Sequence, residues 1–496
     1  MKYFLTLIQL WVGFLSICAS YPKANIWIIP SVESPQVYRN YAQTSKVHLE
    51  MARGEVEHIQ LVFPSKVNEE YRFTFDRYLK GIQISARELK KMNGYYDALV
   101  PFKNQLKCTD TLTAVWITVQ CPSRVPVGKY HQTIKIEGSK HFTIQLDYNV
   151  HHTTIPLKSS IPITVGVENR CMTEGLNDKE ADKERQRWVD FVLSYRMTPV
   201  FGTQITPERW QYEHSFSPWA WNDKRSIRLL NDRRYSCYML PFFTLSENEL
   251  ASLLCNIQKK GKLKESLFYI WDEPAYMEDY EQIKRKVNII RKYASDARIL
   301  TTFFCGPRNG PRKGDLYAVF DYLKHHIHVA TISLAPCKGN EEEVQHIRYK
   351  VPEGIDWWSY VCWQPGGNEP NFLLQMKGIQ QRAIMWRTWK NGSQGFLYWN
   401  CNIYHKRNPF TYITDMPHGD GILIYPGDIL GCKGPIASAR LERWRDGAEE
   451  MELLRLVEKN YSKEKADTLL NIVYSSPLSF IEKAHNIPFF RKELLD

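Results

Sequence analysis

The chain has 496 residues, of which 43% are hydrophobic and 24% charged, with 26 Gly and 26 Pro. This composition is typical of a folded globular protein and excludes a disordered, collagen-like or small disulfide-stapled chain. Lys and Arg (65) outnumber Asp and Glu (54), for a formal net charge of +11. The basic residues are spread along the chain and interrupted by acids, so the charge indicates solvated helix faces and no nucleic-acid partner.

The first twenty residues predict a secretory signal peptide. Lys2 precedes a mostly apolar run over 3–17, and small residues end at Ser20. The run is short for a membrane anchor, and no later stretch is long and apolar enough to span a bilayer. We therefore expect cleavage after Ser20 and a soluble mature protein that is secreted, periplasmic or on the cell surface. A signal anchor and lipidation at Cys18 are the alternatives.

Residues 21–158 predict an N-terminal antiparallel β-sandwich. Seven short β-like segments, most of them separated by turns or polar residues, follow one another in this region. They lie at 25–29, 47–51, 58–63, 81–85, 114–119, 128–137 and 141–148. Cys108 and Cys121 bracket a short β-like segment and form the most plausible disulfide.

Residues 159–496 predict a (β/α)8 barrel of the TIM type. Eight apolar runs lie at 161–167, 199–202, 236–241, 267–271, 299–304, 329–334, 356–362 and 396–400. Helical patterns lie between or after them at 179–195, 247–259, 277–294, 340–349, 372–389 and 436–459. Eight strands, each followed by a helix or a long excursion, close into such a barrel. A doubly wound open sheet is the alternative, but no Gly-rich phosphate loop follows any strand.

Two adjacent acids follow the fourth run of the barrel. Asp272 and Glu273 come directly after 267–271 and before Pro274. Because barrel enzymes carry their active sites at the carboxyl ends of the strands, these acids are candidate catalytic residues. They can serve one site only if the strand ends there and turns, and Pro274 permits this while restraining Glu273 to an extended backbone.

A close acid pair suits glycoside hydrolysis. One carboxyl stays protonated and donates to the leaving oxygen, while the other stays ionised and stabilises positive charge at the sugar. Proximity favours this division, since two close carboxylates resist double ionisation. The alternative is structural, because acids at the start of a helix also complement its dipole. The position at a strand end favours catalysis.

Aromatic residues, 13% of the chain, gather at the same predicted rim. Rings of this kind pack on the apolar faces of sugars, and Asn400 is placed to read hydroxyls. About half of the rings must face the surrounding helices instead, because side chains alternate along a strand. The candidate substrate-binding rings are Phe304, Tyr360, Trp363, Tyr398 and Trp399.

The connection over 401–435 is long for a barrel loop and is predicted to shape the pocket. It contains Asp420 between two glycines, which either binds a substrate hydroxyl or forms an Asx turn, and the turn is the favoured interpretation. The histidine pairs at 151–152 and 325–326 lack neighbours with metal-ligand spacing. The sequence therefore predicts no metal and no cofactor.

Several motifs resemble glycoside hydrolase family 123 and the related domain-of-unknown-function family 4091. They are GFLYWN at 395–400, GDG at 419–421, YPG at 425–427 and SARLERWRDG at 438–447, together with LEMARGE at 49–55 and QLV at 60–62. The similarity spans nearly the whole mature chain. It implies a (β/α)8 barrel after a β-sandwich.

The resemblance also implies an activity. Characterised family members are retaining β-N-acetylgalactosaminidases that use an adjacent Asp-Glu pair, which matches Asp272 and Glu273 here. Glu273 would be the general acid/base, and Asp272 would orient the 2-acetamido group of the substrate, whose oxygen attacks the anomeric carbon. A tyrosine hydroxyl commonly assists that oxygen, and Tyr398 is the candidate.

The leading hypothesis is thus an exported β-N-acetylhexosaminidase acting on a glycan or glycoconjugate. Two alternatives are a non-catalytic glycan-binding protein on the same barrel and a retaining glycosidase with an enzyme nucleophile. The sequence predicts neither the natural glycan nor the oligomeric state.

Overall fold

The computed structural model describes residues 25–76, 81–206, 211–304, 306–315, 317–335, 342, 346, 348–404, 408–409 and 418–496. The predicted signal peptide and Cys18 lie outside these residues, as does most of the helix predicted at 340–349.

Ten strands near the N-terminus form two five-stranded sheets that face each other. One sheet has the order β1-β3-β8-β5-β6 and the other the order β2-β10-β9-β4-β7. The strands are β1 (Trp27–Pro30), β2 (Lys46–Arg53), β3 (Glu55–Pro64), β4 (Glu70–Phe75), β5 (Gln83–Met92), β6 (Tyr95–Pro101), β7 (Gln105–Lys107), β8 (Leu112–Cys121), β9 (Gly128–Glu137) and β10 (His141–Thr154).

The inward side chains of both sheets share one apolar core. Ile59 and Ile117 of the first sheet meet Ile134 and Leu146 of the second, which is the packing expected of a sandwich. The sheets are antiparallel except where β10 pairs with β2 in parallel. The strands β4, β6 and β7 were not predicted.

The expected disulfide in this region is absent from the structure. Cys108 and Cys121 are both buried free thiols. Cys121 ends β8, and Cys108 lies between β7 and β8, where its amide bonds the carbonyl of Glu69 at 2.8 Å. Burial raises the pKa of Cys121 to about 12, which keeps this thiol protonated and unreactive.

Nine further strands form a nearly closed, barrel-like sheet. Its order is β13-β12-β11-β19-β18-β17-β16-β15-β14. The strands are β11 (Ile163–Glu168), β12 (Thr198–Thr206), β13 (Gln211–Ser215), β14 (Tyr238–Met239), β15 (Ser266–Trp271), β16 (Arg298–Phe303), β17 (Val329–Ser333), β18 (Asp356–Val361) and β19 (Phe396–Tyr398). A two-stranded sheet, β20 (Ile424–Pro426) and β21 (Pro435–Ala437), follows.

Eight of these nine strands coincide with the eight predicted runs. Their pairings are all parallel, so their carboxyl ends meet at one edge of the sheet, here called the mouth. β13 is the unpredicted ninth strand. It pairs antiparallel to β12, and the amide of Phe216, just beyond it, bonds Met239 O of β14 at 2.6 Å.

Side chains alternate between an interior layer and an outer layer that faces the helices. The interior layer consists of Val200, Cys237, Met239, Leu267, Tyr269, Leu300, Val329, Trp358, Tyr360, Cys362 and Leu397. Intervening residues such as Phe268, Ile270 and Tyr398 pack outward into the larger core. Whether a residue belongs to the interior or the outer layer decides which of the predicted rim residues can reach the mouth.

Five of the predicted helices are present in the structure. The helices are α1 (Asn169–Thr173), α2 (Asp178–Ser194), α3 (Lys224–Leu229), α4 (Glu247–Lys259), α5 (Met277–Arg291), α6 (Ala318–Leu323), α7 (Gly378–Lys390), α8 (Ala439–Asn460), α9 (Lys463–Leu470) and α10 (Ile487–Leu495). The five predicted helices are α2, α4, α5, α7 and α8, whereas α1, α3, α6, α9 and α10 were not predicted. Among the described residues, none of these helices has the length and apolar character needed to cross a membrane.

Buried charges join the sandwich to the last helices. β10 ends at Thr154 and β11 begins at Ile163, on either side of the predicted boundary between residues 158 and 159. Across this junction, Arg491 of α10 lies 2.7 Å from Glu55 and 2.9 Å from Glu57 of β3. Arg196, which is also buried, bonds Glu449 of α8 at 3.1 Å.

Candidate active site

The backbone turns sharply where β15 ends. Glu273 has a φ of 44°, a left-handed conformation that costs a non-glycine residue of order 1 kcal/mol or more. Its amide donates to Thr302 Oγ1 of β16 at 2.9 Å, which holds the turn in place. The predicted extended backbone at Glu273 is therefore wrong: the strand reverses at Glu273 itself, before Pro274.

Two hydroxyl groups fix one oxygen of Asp272. Tyr269 Oη and Thr302 Oγ1 each donate to Asp272 Oδ1 at 2.7 Å, and both residues are buried. Hydrogen bonds to an ionised acceptor are among the stronger ones in proteins. Asp272 Oδ1 is thus fully engaged, and Oδ2 is the oxygen left for a ligand.

Glu273 has a different environment. Tyr360 of β18 donates a short hydrogen bond to Glu273 Oε1. Glu273 is exposed at the mouth, yet enough protein surrounds its carboxyl to penalise the charged form. Burial and the neighbouring Asp272 carboxylate raise the pKa of Glu273 to about 7, although the Tyr360 hydrogen bond and Arg308 act in the opposite direction.

The acid pair does not cap the following helix. α5 begins at Met277, and its first turn is capped by its own Asp279, whose Oδ2 accepts from the amides of Ala275 and Tyr276 at 2.9 Å each. The amide of Met277 bonds Asn309 Oδ1 at 2.8 Å. The capping role considered for the acid pair is therefore filled by other residues.

The unpredicted strand β13 supports the pair from the opposite side. The ring of His214 stacks on that of Tyr269, with centroids 4.3 Å apart and planes at 20°. Burial lowers the pKa of His214 to about 4, so it stacks as a neutral imidazole at ordinary pH. Neighbouring Glu213 accepts from the amides of Phe242 and Thr244 at 2.8 and 2.7 Å, tying β13 to the loop after β14.

Four of the predicted aromatic residues lie at or near the mouth. Tyr360 is in the interior layer, and Trp399 packs against that layer. Trp363, just beyond β18, is 42% exposed and stacks on Phe304, with ring centroids 6.4 Å apart and planes at 20°. Trp363 and Phe304 form an open flat face of the kind that packs on sugars.

Tyr398 and Asn400 are placed differently from the prediction. Tyr398 packs in the outer layer, against Phe372 and Trp444, and its hydroxyl donates to Asp420, so its ring does not face the mouth and its predicted substrate-binding role finds no support in this geometry. Parity along β19 explains this, because Leu397 and Trp399 point inward. Asn400 is 5% exposed, and its Oδ1 accepts from the Asn402 amide at 2.9 Å.

The expected Asx turn at Asp420 is not formed. The amide of Ile422, which such a turn requires, bonds Gly419 O at 3.2 Å instead. Asp420 Oδ1 accepts from Tyr398 Oη at 3.1 Å and from Trp399 Nε1 at 3.0 Å. The carboxylate is thus held against β19.

Sequence reasoning missed three residues that shape this site. Tyr269 and Thr302 lie on correctly predicted strands. Thr302 is two residues before Phe304, so alternation would have placed it on the same face, whereas Tyr269 is three residues before Asp272 and alternation from Asp272 would have placed it on the opposite face. His214 lies on a strand whose sequence, QYEHS, has no apolar alternation, and no local signal marks it.

Elsewhere in the described chain, the features that could form a metal site or a ligand site are less well defined. No group of three or more His, Cys, Asp or Glu side chains there is arranged to hold a metal ion. A cavity of about 790 Å³ lies away from the mouth, between the edge of the sandwich and α10, where Glu57 and Arg491 are among its lining residues. Its walls mix apolar side chains with charges of both signs, which defines no single ligand chemistry.

Solved structures that resemble this chain include glycoside hydrolases. A family 123 glycoside hydrolase from Clostridium perfringens, studied for glycolipid glycan hydrolysis, has 13% sequence identity and a TM-score of 0.64, covering 95% of this chain and 97% of that one. A family 2 β-galacturonidase from Eisenbergiella tayi shares 8% identity at a TM-score of 0.34, over 80% and 90% of the two chains. No curated protein matches the sequence.

The sequence itself matches the model of the glycoside hydrolase 123 catalytic domain over residues 183–457, more than half of the chain. This span includes β12 to β21 and the acid pair at the mouth. The chain therefore belongs to glycoside hydrolase family 123.

Proposed function

We propose that this glycoside hydrolase is an exported, retaining β-N-acetylhexosaminidase, similar to β-N-acetylgalactosaminidases, that uses the 2-acetamido group of its own substrate as the nucleophile. Its nine-stranded sheet is then a (β/α)8 barrel whose seam holds one additional strand, β13. The observation that carries this proposal is the pair Asp272 and Glu273, adjacent in the chain but held in different hydrogen-bonded environments.

Glu273 is suited to the role of general acid. A pKa of about 7 leaves a useful fraction of this carboxyl protonated near neutral pH, and proton transfer is most effective when the pKa lies near the working pH. Tyr360 fixes Oε1, so the proton would be transferred from Oε2. An ordinary exposed glutamate would be almost fully ionised under the same conditions.

Asp272 is suited to hold the acetamido group. Its Oδ1 is fixed by Tyr269 and Thr302, and Oδ2 is left to accept from the acetamido N–H. Such a hydrogen bond turns the acetamido carbonyl oxygen toward the anomeric carbon and stabilises the positive charge that develops on the group. The hydroxyl of Tyr398 is occupied by Asp420 and Gly421, so Tyr398 is not assigned the assisting role expected from the sequence.

The reaction then proceeds in two steps. The acetamido oxygen attacks the anomeric carbon while the glycosidic C–O bond breaks, and Glu273 gives its proton to the leaving oxygen. The resulting oxazolinium is opened by a water molecule, whose proton Glu273 takes up. Two inversions give net retention, which departs from the usual scheme with an enzyme nucleophile.

The substrate is proposed to be a glycan or glycoconjugate. Trp363, which stacks on Phe304, lies three residues beyond Tyr360, the hydrogen-bond donor to Glu273, and is proposed to pack against the sugar on the leaving side. The Clostridium perfringens relative acts on glycolipid glycans, and glycoconjugates of this kind are the first substrates to test.

Hydrolysis of aryl β-N-acetylgalactosaminides and N-acetylglucosaminides tests the proposal. We expect turnover of at least one by the wild type, loss of it in Glu273→Gln when the leaving group needs a proton, and inhibition by a thiazoline mimic of the oxazolinium. Asp296→Asn, in an exposed turn at the opposite end of the sheet, is the control for an acid-to-amide change. Turnover of neither substrate by folded protein would contradict the activity.

The same assays separate the two alternatives. A glycan-binding protein would retain its affinity for sugar in Glu273→Gln and show no turnover at all. An enzyme with its own nucleophile would resist the thiazoline and would accept substrates that lack the acetamido group.

Export is proposed from the apolar leader over 3–17. Expression of the full chain followed by N-terminal sequencing of the exported protein should give Tyr21 as the first residue. Retention of the leader on the exported protein would favour the signal anchor.

A further inference from the structure

Asp420 lies in a tight turn packed against β19. It is 3% exposed, and Gly419 and Gly421 on either side have φ values of 89° and 68°. A Cβ atom at Gly421 would lie 2.5 Å from the Trp399 ring, and one at Gly419 would lie 2.5 Å from Arg440 Nη1. Both glycines are therefore required for the turn to approach its neighbours this closely.

The side chain of Asp420 is held by two hydrogen bonds to Oδ1, and the backbone amide of Gly421 also lies close enough to the carboxyl to lower its pKa. Oδ1 accepts from Tyr398 Oη and Trp399 Nε1 at 3.1 and 3.0 Å. The amide of Gly421 donates to the same Tyr398 hydroxyl at 3.0 Å. These contacts orient the carboxylate and fix where its second oxygen lies.

The second oxygen, Oδ2, is buried and has no hydrogen-bond partner within the described chain. Burial raises the pKa of Asp420 to about 6, so the group is still mostly ionised at neutral pH and Oδ2 is a charged acceptor. A buried acceptor without a donor costs free energy, and such atoms are rare enough in folded proteins to require an explanation.

The position of Asp420 places it beside the proposed catalytic site. Its donor Trp399 packs against the interior layer that contains Tyr360. Cys362, in the same layer, is influenced by the charges of both Asp420 and Glu273, which together with burial raise the pKa of its thiol to about 12. Both carboxyls are thus close enough to Cys362 for their charges to act on its thiol.

We infer that Asp420 Oδ2 accepts a hydrogen bond from a hydroxyl group of the sugar bound at Asp272 and Glu273, and so makes the enzyme selective for sugars that carry this hydroxyl. The inference rests on the proposed function. The missing donor is supplied by the ligand, and the glycine-flanked turn holds the acceptor ready for it. A site built in this way rejects an analogue without the hydroxyl, because the acceptor is again left unpaired.

The test compares aryl β-N-acetylhexosaminides with their 3-, 4- and 6-deoxy analogues, using the wild type and Asp420→Asn. Asparagine keeps the oxygen that bonds Tyr398 and Trp399 and replaces Oδ2 with an amide donor. We expect the wild type to lose about 10- to 100-fold in kcat/KM on one deoxy analogue, in line with a hydrogen bond to a charged group. For Asp420→Asn, kcat/KM on the parent sugar should fall by a similar factor. Its kcat/KM on that deoxy analogue should be little lower than its value on the parent sugar.

The inference is overturned if the wild type treats all three deoxy sugars like the parent, or if Asp420→Asn keeps the full discrimination. The first of these outcomes needs no variant, so it applies even if Asp420→Asn does not fold. The control Asp296→Asn should reproduce the wild-type profile.

A binding arm separates this inference from the proposed function. Binding of N-acetylgalactosamine, N-acetylglucosamine and their deoxy forms to Glu273→Gln is followed by NMR titration, which requires no turnover. Selective binding without turnover by the wild type would refute the hydrolase activity and retain the role of Asp420. Turnover without selectivity would retain the hydrolase activity and refute the role of Asp420. If none of these sugars bound, both the hydrolase activity and the role of Asp420 would be refuted.

Discussion

The hydroxyl of Tyr360 on β18 donates a hydrogen bond to Oε1 of Glu273, which follows β15. This bond favours the ionised carboxylate, whereas burial and the charge of Asp272 favour the protonated form. The pKa of Glu273, about 7, is therefore a balance that single substitutions can shift in either direction.

Replacing Tyr360 with phenylalanine should move the basic limb of the pH profile upward. Since the acid works in its protonated form, kcat/KM falls as the pH rises through the pKa of Glu273. Tyr360→Phe removes a hydrogen bond that lowers this pKa, so the fall should begin at higher pH. The measurement is kcat/KM against pH for an aryl substrate, and an unchanged or lowered limb would argue against this contact.

Replacing Asp272 with asparagine should move the same limb downward. The Asp272 charge raises the pKa of Glu273, and its removal lets Glu273 ionise at lower pH. Activity should also fall by about 100-fold or more, the cost of losing charge stabilisation in the transition state. A limb that stays at the wild-type pH would show that the two carboxyls are electrostatically independent.

His214 is expected to act through its ring and not through its charge. Its imidazole is neutral, with a pKa of about 4, and stacks on Tyr269, which holds Asp272. His214→Ala should lower kcat about 10-fold with little change in KM, the loss of about 1.4 kcal/mol of positioning. His214→Phe should restore much of the rate, and failure of this rescue would assign the effect to an imidazole nitrogen.

The junction between sandwich and α10 gives a prediction of stability. Arg491 contacts Glu55 and Glu57. Arg491→Ala would leave Glu55 buried without this partner and would remove the charge that opposes the rise of the Glu57 pKa caused by burial. Breaking a buried pair in this way costs about 3–5 kcal/mol, to be measured by urea denaturation. Lys292→Ala, which breaks the exposed pair with Glu247, should cost less than about 1 kcal/mol.

A result in which the two variants are equally stable would show that the Arg491 pair contributes no more than a surface contact. Because Arg491 lies far along the chain from Asp272 and Glu273 and on another element, kcat of the folded Arg491→Ala protein should stay near the wild-type value. This separates the stability effect from catalysis.

Much of the fold was predictable because buried parallel strands are continuous apolar runs. All eight predicted runs are strands of the sheet, and α4 has the predicted bounds of Glu247–Lys259. β13 was not predictable, since Gln211–Ser215 is polar and forms a strand only through its pairing with β12. Strand β7 was missed because it has only three residues at the edge of its sheet, whereas β4 does alternate, with Tyr71 and Phe73 buried, and could have been recognised.

The acid pair was predictable from its position after a strand, but its environment was not. The left-handed backbone of Glu273 depends on Thr302, which is 29 residues away in the chain. Tyr360 and Tyr398 were both predicted to bind substrate, although only Tyr360 faces the interior layer, because the sequence does not show which face of a strand points inward when aromatic residues occur on both faces. Trp357 and Trp358 illustrate this, since one packs outward and the other inward.

The central claim is that Glu273 donates a proton to the leaving oxygen, and the dependence of Glu273→Gln on the leaving group tests it most directly. A dinitrophenyl group departs readily without a proton, whereas a sugar or a methylumbelliferyl group needs one. We expect Glu273→Gln to lose about 100- to 10,000-fold in kcat/KM on the poor leaving groups and far less on the dinitrophenyl glycoside. An equal loss on all leaving groups, or no loss on any, would contradict the assignment of Glu273 as the general acid.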